Sequence, residues 1–287
     1  MSREEDSMAE VQTLMTGIAF GESPRWHDGR LWFSDWVAQE VVAVGLDGMS
    51  EVITHVHSLP FSIDWLPGGP LLITSGRSLF RMEPDGTQVI HADLSGLTEY
   101  GLNEIVVDGR GNVYVNGAEF DLMAGKEPRP GMVALVTPDG SARRVAEGVA
   151  FPNGMAVTPN DSTLIVAESY GRKLTAFDIA ADGSLSKGRV WADLGDGVPD
   201  GICLDAEGAV WYGDVPNKRC VRVREGGQVL QTLHLDLGCF ACMLGGEEGR
   251  MLFMMVQEWG GTGSMADGPR TGRVMIAEAP AAHAGRP

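Results

Sequence analysis

The sequence has few positive charges for its length. Its 287 residues contain 22 Lys and Arg against 39 Asp and Glu, which gives a formal net charge of −17. Nucleic acids and anionic membranes attract cationic surfaces, so this excess of acid opposes both kinds of partner. Small molecules and metal cations are the partners that this charge favours.

The sequence also lacks any long hydrophobic run. No segment approaches the roughly 18 consecutive apolar residues that a membrane-spanning helix needs. The first ten residues are acidic, whereas a secretion signal is basic and then apolar. We therefore expect a cytoplasmic protein.

Cysteines are few, and they stand in strand-like segments. The chain has four, Cys203, Cys220, Cys239 and Cys242. Without a secretion signal, disulfides between them are not expected. Cys239 and Cys242 match a C-x-x-C pattern, but no second pair follows at zinc-finger spacing. Because free cysteine usually behaves as a small buried hydrophobe, we expect inert thiols in the core.

Long helices and a serine-hydrolase motif are missing as well. No stretch keeps apolar residues at i, i+3, i+4 and i+7 for three turns, so long helices are not expected. Ser23 and Ser62 have no Gly-x-Ser-x-Gly elbow around them, which argues against a serine nucleophile.

A short apolar strand signature is present six times. Its copies begin 40 to 51 residues apart, at Leu31, Leu71, Val113, Leu164, Val210 and Leu252. This is the period of a four-stranded propeller blade. Further alternating strands and Asp-Gly turns follow most copies. The sequence therefore predicts an all-β, six-bladed β-propeller with four antiparallel strands per blade.

The repeat extends over the whole chain, so we expect one domain over residues 1–287. Residues 1–10 are predicted to be disordered, and residues 278–287 to form a flexible tail. A ring of blades has a free edge unless both chain ends share a blade. Val11–Met15 is predicted to close the ring as the outermost strand of the C-terminal blade.

One position precedes each strand signature by nine to eleven residues. It is occupied in turn by Glu22, Ser62, Asn103, Asn153, Asp200 and Ala241. The first strand of each blade lines the central channel, so these side chains should converge there. Their oxygen donors suit a hard cation such as Ca²⁺, Mg²⁺ or Mn²⁺. An alternative is that Asn153 and Asp200 have only a structural role, because Pro-Asn-Gly and Pro-Asp-Gly are ordinary turn tripeptides.

At this point the chain resembles the SMP-30/gluconolactonase/regucalcin-like family, in which six-bladed propellers hold one divalent metal in the channel. The resemblance covers about Gly17 to Ala277 and is carried by Gly21–Trp26, Leu102–Glu104, Pro152–Gly154 and Pro199–Gly208.

The resemblance implies a role for each matching polar residue. Glu22, Asn153 and Asp200 would bind the metal, which could be Ca, Mg, Mn, Zn or Fe. Asn103 would contact substrate or a water nearby. Asp200 would also act as general base in the hydrolysis of a lactone, which fits general chemistry because a cation polarises the carbonyl while a carboxylate accepts a proton.

Two residues depart from the family pattern. Gly101 stands where sugar-lactone members often have Arg, and Glu104 stands where they often have Asp. Without the arginine donors, a lactone less polar than an aldonolactone is favoured. Glu119 matches a substrate-facing Glu of some relatives. The mouth should be lined by Trp36, Tyr100, Met123, Phe151, Phe240 and Trp259, with Tyr100 and Phe151 as substrate contacts.

The sequence thus predicts a metal-dependent lactonase with a small-molecule substrate, acting as a monomer or small homo-oligomer. A non-catalytic, Ca-binding propeller that presents its rim to a protein is an alternative. A related metal-dependent esterase or phosphotriesterase, or a strictosidine-synthase-like condensation, also stays open.

Overall fold

Antiparallel strands account for the architecture. The structure is a computed structural model that describes residues 10–121, 124–261 and 269–285. In these residues, 24 strands form six four-stranded sheets, which confirms the predicted six-bladed propeller. The predicted disorder of residues 1–10 falls almost wholly outside the described residues.

The first three blades follow one another along the chain. Blade 1 contains β2 (Gly21–His27), β3 (Arg30–Asp35), β4 (Glu40–Val44) and β5 (Ser50–His55). Blade 2 contains β6 (Ile63–Trp65), β7 (Leu71–Ser75), β8 (Ser78–Met82) and β9 (Gln88–Asp93). Blade 3 contains β10 (Ile105–Val107), β11 (Val113–Gly117), β12 (Gly131–Val136) and β13 (Ala142–Val149).

The other three blades complete the ring. Blade 4 contains β14 (Pro152–Val157), β15 (Thr163–Glu168), β16 (Lys173–Asp178) and β17 (Arg189–Asp193). Blade 5 contains β18 (Pro199–Leu204), β19 (Val210–Asp214), β20 (Arg219–Val223) and β21 (Val229–His234). Blade 6 contains β22 (Gly238–Gly245), β23 (Met251–Gln257), β24 (Gly272–Glu278) and, from the other end of the chain, β1 (Gln12–Ile18).

The N-terminal strand closes the ring as predicted. β1 pairs with β24 in antiparallel register, from Gln12 opposite Ile276 to Ile18 opposite Gly272. Ile18 is buried in the apolar cluster of blade 6. Both chain ends therefore share one sheet, and no blade is left with an unpaired ring edge at this junction.

The core is divided into layers between neighbouring blades. Strands such as β4 and β12 are buried along most of their length, because a blade packs against a neighbour on each face. The four cysteines are buried and free, as expected.

Among the described residues, no helix has the length and apolar character needed to cross a membrane.

The segment after β24 packs against the blades. We expected a flexible tail here, but Ala206 N donates to Ala282 O at 2.8 Å, and His283 N donates to Gly249 O at 2.9 Å. Residues 279–285 are thereby hydrogen-bonded to blades 5 and 6.

Candidate active site

A cavity of about 730 Å³ opens at one end of the central channel. It brings together four of the six residues at the repeated position, namely Glu22, Asn103, Asn153 and Asp200. They come from the inner edges of blades 1, 3, 4 and 5, so residues far apart in sequence meet near the axis, as predicted.

The other two residues at this position lie outside the cavity lining. Ser62 is fully buried, and Thr74 Oγ1 accepts a hydrogen bond from its backbone N–H at 2.7 Å. Ala241 is 1% exposed and belongs to the apolar core of blade 6. Four of the six residues at the repeated position therefore line the cavity, and Ser62 and Ala241 do not.

The inner strands are irregular at the repeated position. Pairing with the second strand of the blade shifts register between Glu22 and Arg25 in β2, between Pro152 and Met155 in β14, and between Pro199 and Ile202 in β18. A bulge bends a strand and re-aims the side chains around it. Asn153 and Asp200 stand inside these irregularities and Glu22 borders one, so Pro-Asn-Gly and Pro-Asp-Gly are strand irregularities and not ordinary turns.

The glycines of these two tripeptides allow adjacent inner strands to approach closely. A Cβ added at Gly154 would lie 2.5 Å from Ile202 N, and one at Gly201 would lie 2.4 Å from Ala241 Cβ. Contacts this short do not occur between real atoms, so only glycine fits. Close packing of β14, β18 and β22 in turn sets the positions of Asn153 and Asp200.

Two carboxylates dominate the electrostatics of the cavity floor. Burial raises the pKa of Glu22 well above its usual value, and the nearby charges of Asp200 and Glu104 add to the rise. Burial likewise raises the pKa of Asp200, with the charge of Glu104 as the next cause. Asp200 Oδ1 is buried and has no hydrogen-bond partner in the part of the chain that the structure describes. Two carboxylates buried close together repel each other, and this repulsion favours the binding of a proton or a cation between them.

Hydrogen bonds within and between blades hold the carboxamides. Asn103 Nδ2 donates to Pro152 O at 3.2 Å, and Asn153 Nδ2 donates to Ser169 Oγ at 3.4 Å. Asn116, near the end of the second strand of blade 3, donates to Asn153 O at 2.6 Å. These contacts tie blade 3 to blade 4 beside the predicted ligands and fix the carboxamide orientations.

Sequence reasoning missed a buried network beneath the cavity floor. Glu104 Oε1 accepts hydrogen bonds from Arg25 Nη2 at 3.1 Å and from Ser23 Oγ at 3.0 Å. Arg25 Nε also lies 3.9 Å from Asp64 Oδ1. A charged residue inside an inner-strand segment, Arg25, was the available signal. Glu104 was noted in the sequence only as a departure from the family pattern.

The predicted role of Glu119 does not agree with its position. Glu119 Oε1 lies 3.1 Å from Nη2 of Arg144, a residue of strand β13. Its neighbours Ala118 and Phe120 line the cavity, and Glu119 does not. The Glu119 carboxylate is therefore engaged by Arg144, and Glu119 is not among the residues that line the cavity.

The apolar mouth agrees better with prediction. The cavity is lined by Trp36, Tyr100, Phe151, Phe240 and Trp259. Met123 lies outside the described residues. Phe20, Phe120 and Tyr170 also line the cavity, and the sequence analysis did not identify them.

The metal site stays a prediction. Within the described ranges, no three or more His, Cys, Asp and Glu side chains are grouped so as to hold a metal ion. The predicted set has two carboxylates, Glu22 and Asp200, and its third member, Asn153, is a carboxamide.

Known proteins share this sequence pattern and this architecture. Residues 20–258 match the sequence model of the family described as SMP-30/Gluconolactonase/LRE-like region. A regucalcin of Xenopus laevis is 29% identical over 245 residues, covering 79% of this chain and 80% of the relative. A pentonolactonase of Haloferax volcanii is 24% identical over 261 residues, covering 79% of this chain and 84% of the relative. A luciferin-regenerating enzyme has the same fold, with a TM-score of 0.81 at 18% identity over 96% of this chain and 98% of that structure. Because the family match spans well over half of the chain, the protein belongs to the SMP-30/gluconolactonase/LRE-like family.

Proposed function

We propose that this protein is a divalent-metal-dependent hydrolase that opens a lactone, a cyclic ester. Membership of the family, and a relative that is named a pentonolactonase, support hydrolysis as the class of reaction. We also propose that it acts in the cytoplasm on a small molecule, as a monomer or small homo-oligomer.

The unpaired oxygen of Asp200 carries the proposal. Buried carboxylate oxygens normally have hydrogen-bond partners, and Asp200 Oδ1 has none among the described residues. It lies in the same cavity as Glu22 and Asn153. An unpaired acceptor beside a second carboxylate and a carboxamide fits a hard cation with oxygen ligands.

We assign Glu22, Asn153 and Asp200 as the residues that hold one divalent ion. Ca²⁺, Mg²⁺ and Mn²⁺ suit these oxygen donors best, and Zn²⁺ and Fe²⁺ are the other metals to test. When bound, the ion supplies a Lewis acid that polarises the lactone carbonyl and lowers the pKa of a water.

Asp200, Asn153 and Asn103 have separate roles in the proposed reaction. Asp200, besides holding the ion, takes the proton of the attacking water as general base. Asn153 lies close enough to Asp200 to oppose the rise in the pKa of its carboxyl, and it stands beside that carboxylate in the cavity. Asn103 contacts the substrate or the water from the blade 3 side. No covalent nucleophile is needed in this scheme.

The lining of the mouth favours a substrate less polar than an aldonolactone. Tyr100 and Phe151 line the cavity above the carboxylates, and we assign them as substrate contacts. Gly101 also lines the cavity and offers no side-chain donor to a substrate hydroxyl.

A lactone panel tests the proposal. Gluconolactone, xylonolactone, dihydrocoumarin and γ-valerolactone would be hydrolysed in a pH-indicator assay by the wild type, by Asp200→Asn and by Asp121→Asn. Asp121 is an exposed carboxylate at the cavity rim, which makes the last variant a matched control.

We expect Asp200→Asn to lower turnover by at least about 100-fold, because general bases contribute roughly this much or more. Asp121→Asn should stay within a few fold of the wild type. Full activity of Asp200→Asn would remove Asp200 from the mechanism. A wild type that hydrolyses no lactone would support the non-catalytic alternative.

A further inference from the structure

The cavity above the carboxylates has two aromatic walls. The first aromatic wall consists of Phe20, Trp36, Phe240 and Trp259, from blades 1 and 6. Phe20 stacks on Trp36 with ring centroids 5.4 Å apart and meets Phe240 edge-on at 4.9 Å. Trp259 contacts both phenylalanines. This wall is a single packed group of rings.

The second aromatic wall consists of Phe120, Phe151 and Tyr170, from blades 3 and 4. Phe151 stacks on Tyr170 with ring centroids 4.5 Å apart. The backbone of Phe151 has a φ of 58°, which a bulky residue rarely adopts. Such strain persists only where surrounding structure imposes it, and here it accompanies a ring placed on the cavity wall.

The two walls stand on opposite sides of the channel. The inner strands of neighbouring blades contact each other in chain order around the ring. In a ring of six, blade 1 faces blade 4 and blade 6 faces blade 3. Among the described residues, no ring of one wall contacts a ring of the other. The space between them is a slot.

The ends of the slot differ from its walls. Pro60, Tyr100 and Gly101 lie on the blade 2 side, and Val215 and Pro216 lie on the blade 5 side. A Cβ added at Gly101 would have its nearest neighbours at 3.8 Å, so this end of the slot has room. A flat group wider than one ring fits such a shape better than a compact polyol.

The described residues that line the slot include no Lys, Arg or His. Glu99 and Asp121 add two carboxylates to those of Glu22 and Asp200. Arg129 lies over the Tyr100 ring at 5.7 Å and donates to its hydroxyl, so its charge is engaged at the rim. An anionic substrate would meet repulsion here.

Three polar side chains of the slot already make hydrogen bonds within the protein. Asn103 and Asn153 each donate a side-chain hydrogen bond to a protein acceptor, and Ser169 Oγ donates to Pro199 O at 2.7 Å. A polyhydroxylated ring would lose water contacts without gaining an equal set of partners.

From these observations we propose that the slot binds an uncharged, flat aryl-fused lactone, with the aromatic ring between the two walls. This inference rests on the proposed function. In the reaction, water oxygen bonds to the acyl carbon, the acyl bond to the phenolic oxygen breaks, and that oxygen takes up a proton. The product is a hydroxyaryl carboxylic acid, which loses its acid proton to solvent. The acidic lining then repels the product carboxylate.

Binding of unreactive lactams tests the slot separately from turnover. 3,4-Dihydroquinolin-2(1H)-one carries the fused aromatic ring, and 2-piperidone is the same lactam without it. Their dissociation constants would be measured by calorimetry with and without Ca²⁺. We expect the aryl lactam to bind at least about tenfold more tightly, since ring stacking adds to apolar burial.

One ring from each wall would then be removed. Tyr170 and Trp259 are 51% and 42% exposed, so Tyr170→Leu and Trp259→Leu should fold normally. Each should reduce the preference for the aryl lactam severalfold. Trp65→Leu is the control, because Trp65 stacks on His27 at 4.0 Å away from this cavity.

The outcomes separate the two proposals. Equal binding of the two lactams, or a preference unchanged in both wall variants, overturns the slot inference even if lactones are hydrolysed. A wall-dependent preference for the aryl lactam in a protein that hydrolyses no lactone supports the slot and contradicts the proposed function. If both hold, dihydrocoumarin should also exceed δ-valerolactone in kcat/KM.

Discussion

Arg25 Nη2 donates a hydrogen bond of 3.1 Å to Glu104 Oε1, and both side chains are buried beneath the cavity floor. The same guanidinium donates to Ile105 O at 2.6 Å and to Pro24 O at 2.9 Å. Blade 1 is thereby tied to blade 3 directly below Glu22 and Asn103. The network supports the site without lining it.

Glu104→Gln should destabilise the protein. It leaves the buried Arg25 without its closest counter-charge, and loss of one partner from a buried pair costs about 3–5 kcal/mol. The free energy of unfolding, measured in a denaturant titration, should fall by roughly that amount. The matched control is Glu83→Gln, whose partner Arg81 is exposed, with a contact of 2.7 Å. That variant should lose less than about 1 kcal/mol. Equal effects of the two substitutions would refute the structural role of the network.

Asp64 should make stability depend on pH. Burial raises the pKa of Asp64 from 3.8 to about 6, against the opposing effect of Arg25. Between these values the native protein keeps a proton that the unfolded chain has released. The contribution of Asp64 to stability is therefore full below about pH 4 and is lost as pH rises through about 6, by on the order of 3 kcal/mol.

The comparison of wild type with Asp64→Asn isolates this effect. The free energy of unfolding of each would be measured by denaturant titration from pH 4 to pH 7. The stability of the wild type relative to the variant should fall with rising pH. A difference that stays constant over this range would show that Asp64 does not titrate as described.

Removal of residues 1–16 should lower the melting temperature sharply. It deletes most of β1, including Leu14 and Met15, which pack against the blade 6 core. Loss of several kcal/mol in a chain of this size corresponds to a fall of about 10 °C or more. Removal of residues 1–9 alone is the control and should change the melting temperature little. An unchanged melting temperature of the variant that lacks residues 1–16 would contradict closure of the ring by β1.

The repeat predicted the fold because its signal is local. Short apolar runs such as Leu31–Phe33 and Val210–Tyr212 can be recognised from neighbouring residues alone, and both lie in second strands of blades. The same register located Glu22, Asn153 and Asp200, since a fixed place in every blade is a fixed place around the axis.

The remaining features depend on contacts that do not repeat. Glu104 meets Arg25 across the channel, a pairing that only the closed ring creates. Glu119 follows β11, where a long connection breaks the period, so its ion pair with Arg144 could not be predicted from the repeat. The opposite placement of Phe20 and Phe151 likewise requires the ring and not the strands alone.

The most direct test of the metal-dependent lactonase is removal and return of the metal. Lactone hydrolysis would be measured on EDTA-stripped protein, and then with Ca²⁺, Mg²⁺, Mn²⁺, Zn²⁺ or Fe²⁺ restored one at a time, with metal binding followed by calorimetry in parallel. We predict that stripping abolishes turnover, that at least one ion restores it with one ion bound per chain, and that Glu22→Gln weakens this binding. Full activity in the stripped protein, or no binding of any of the five ions, would contradict the account.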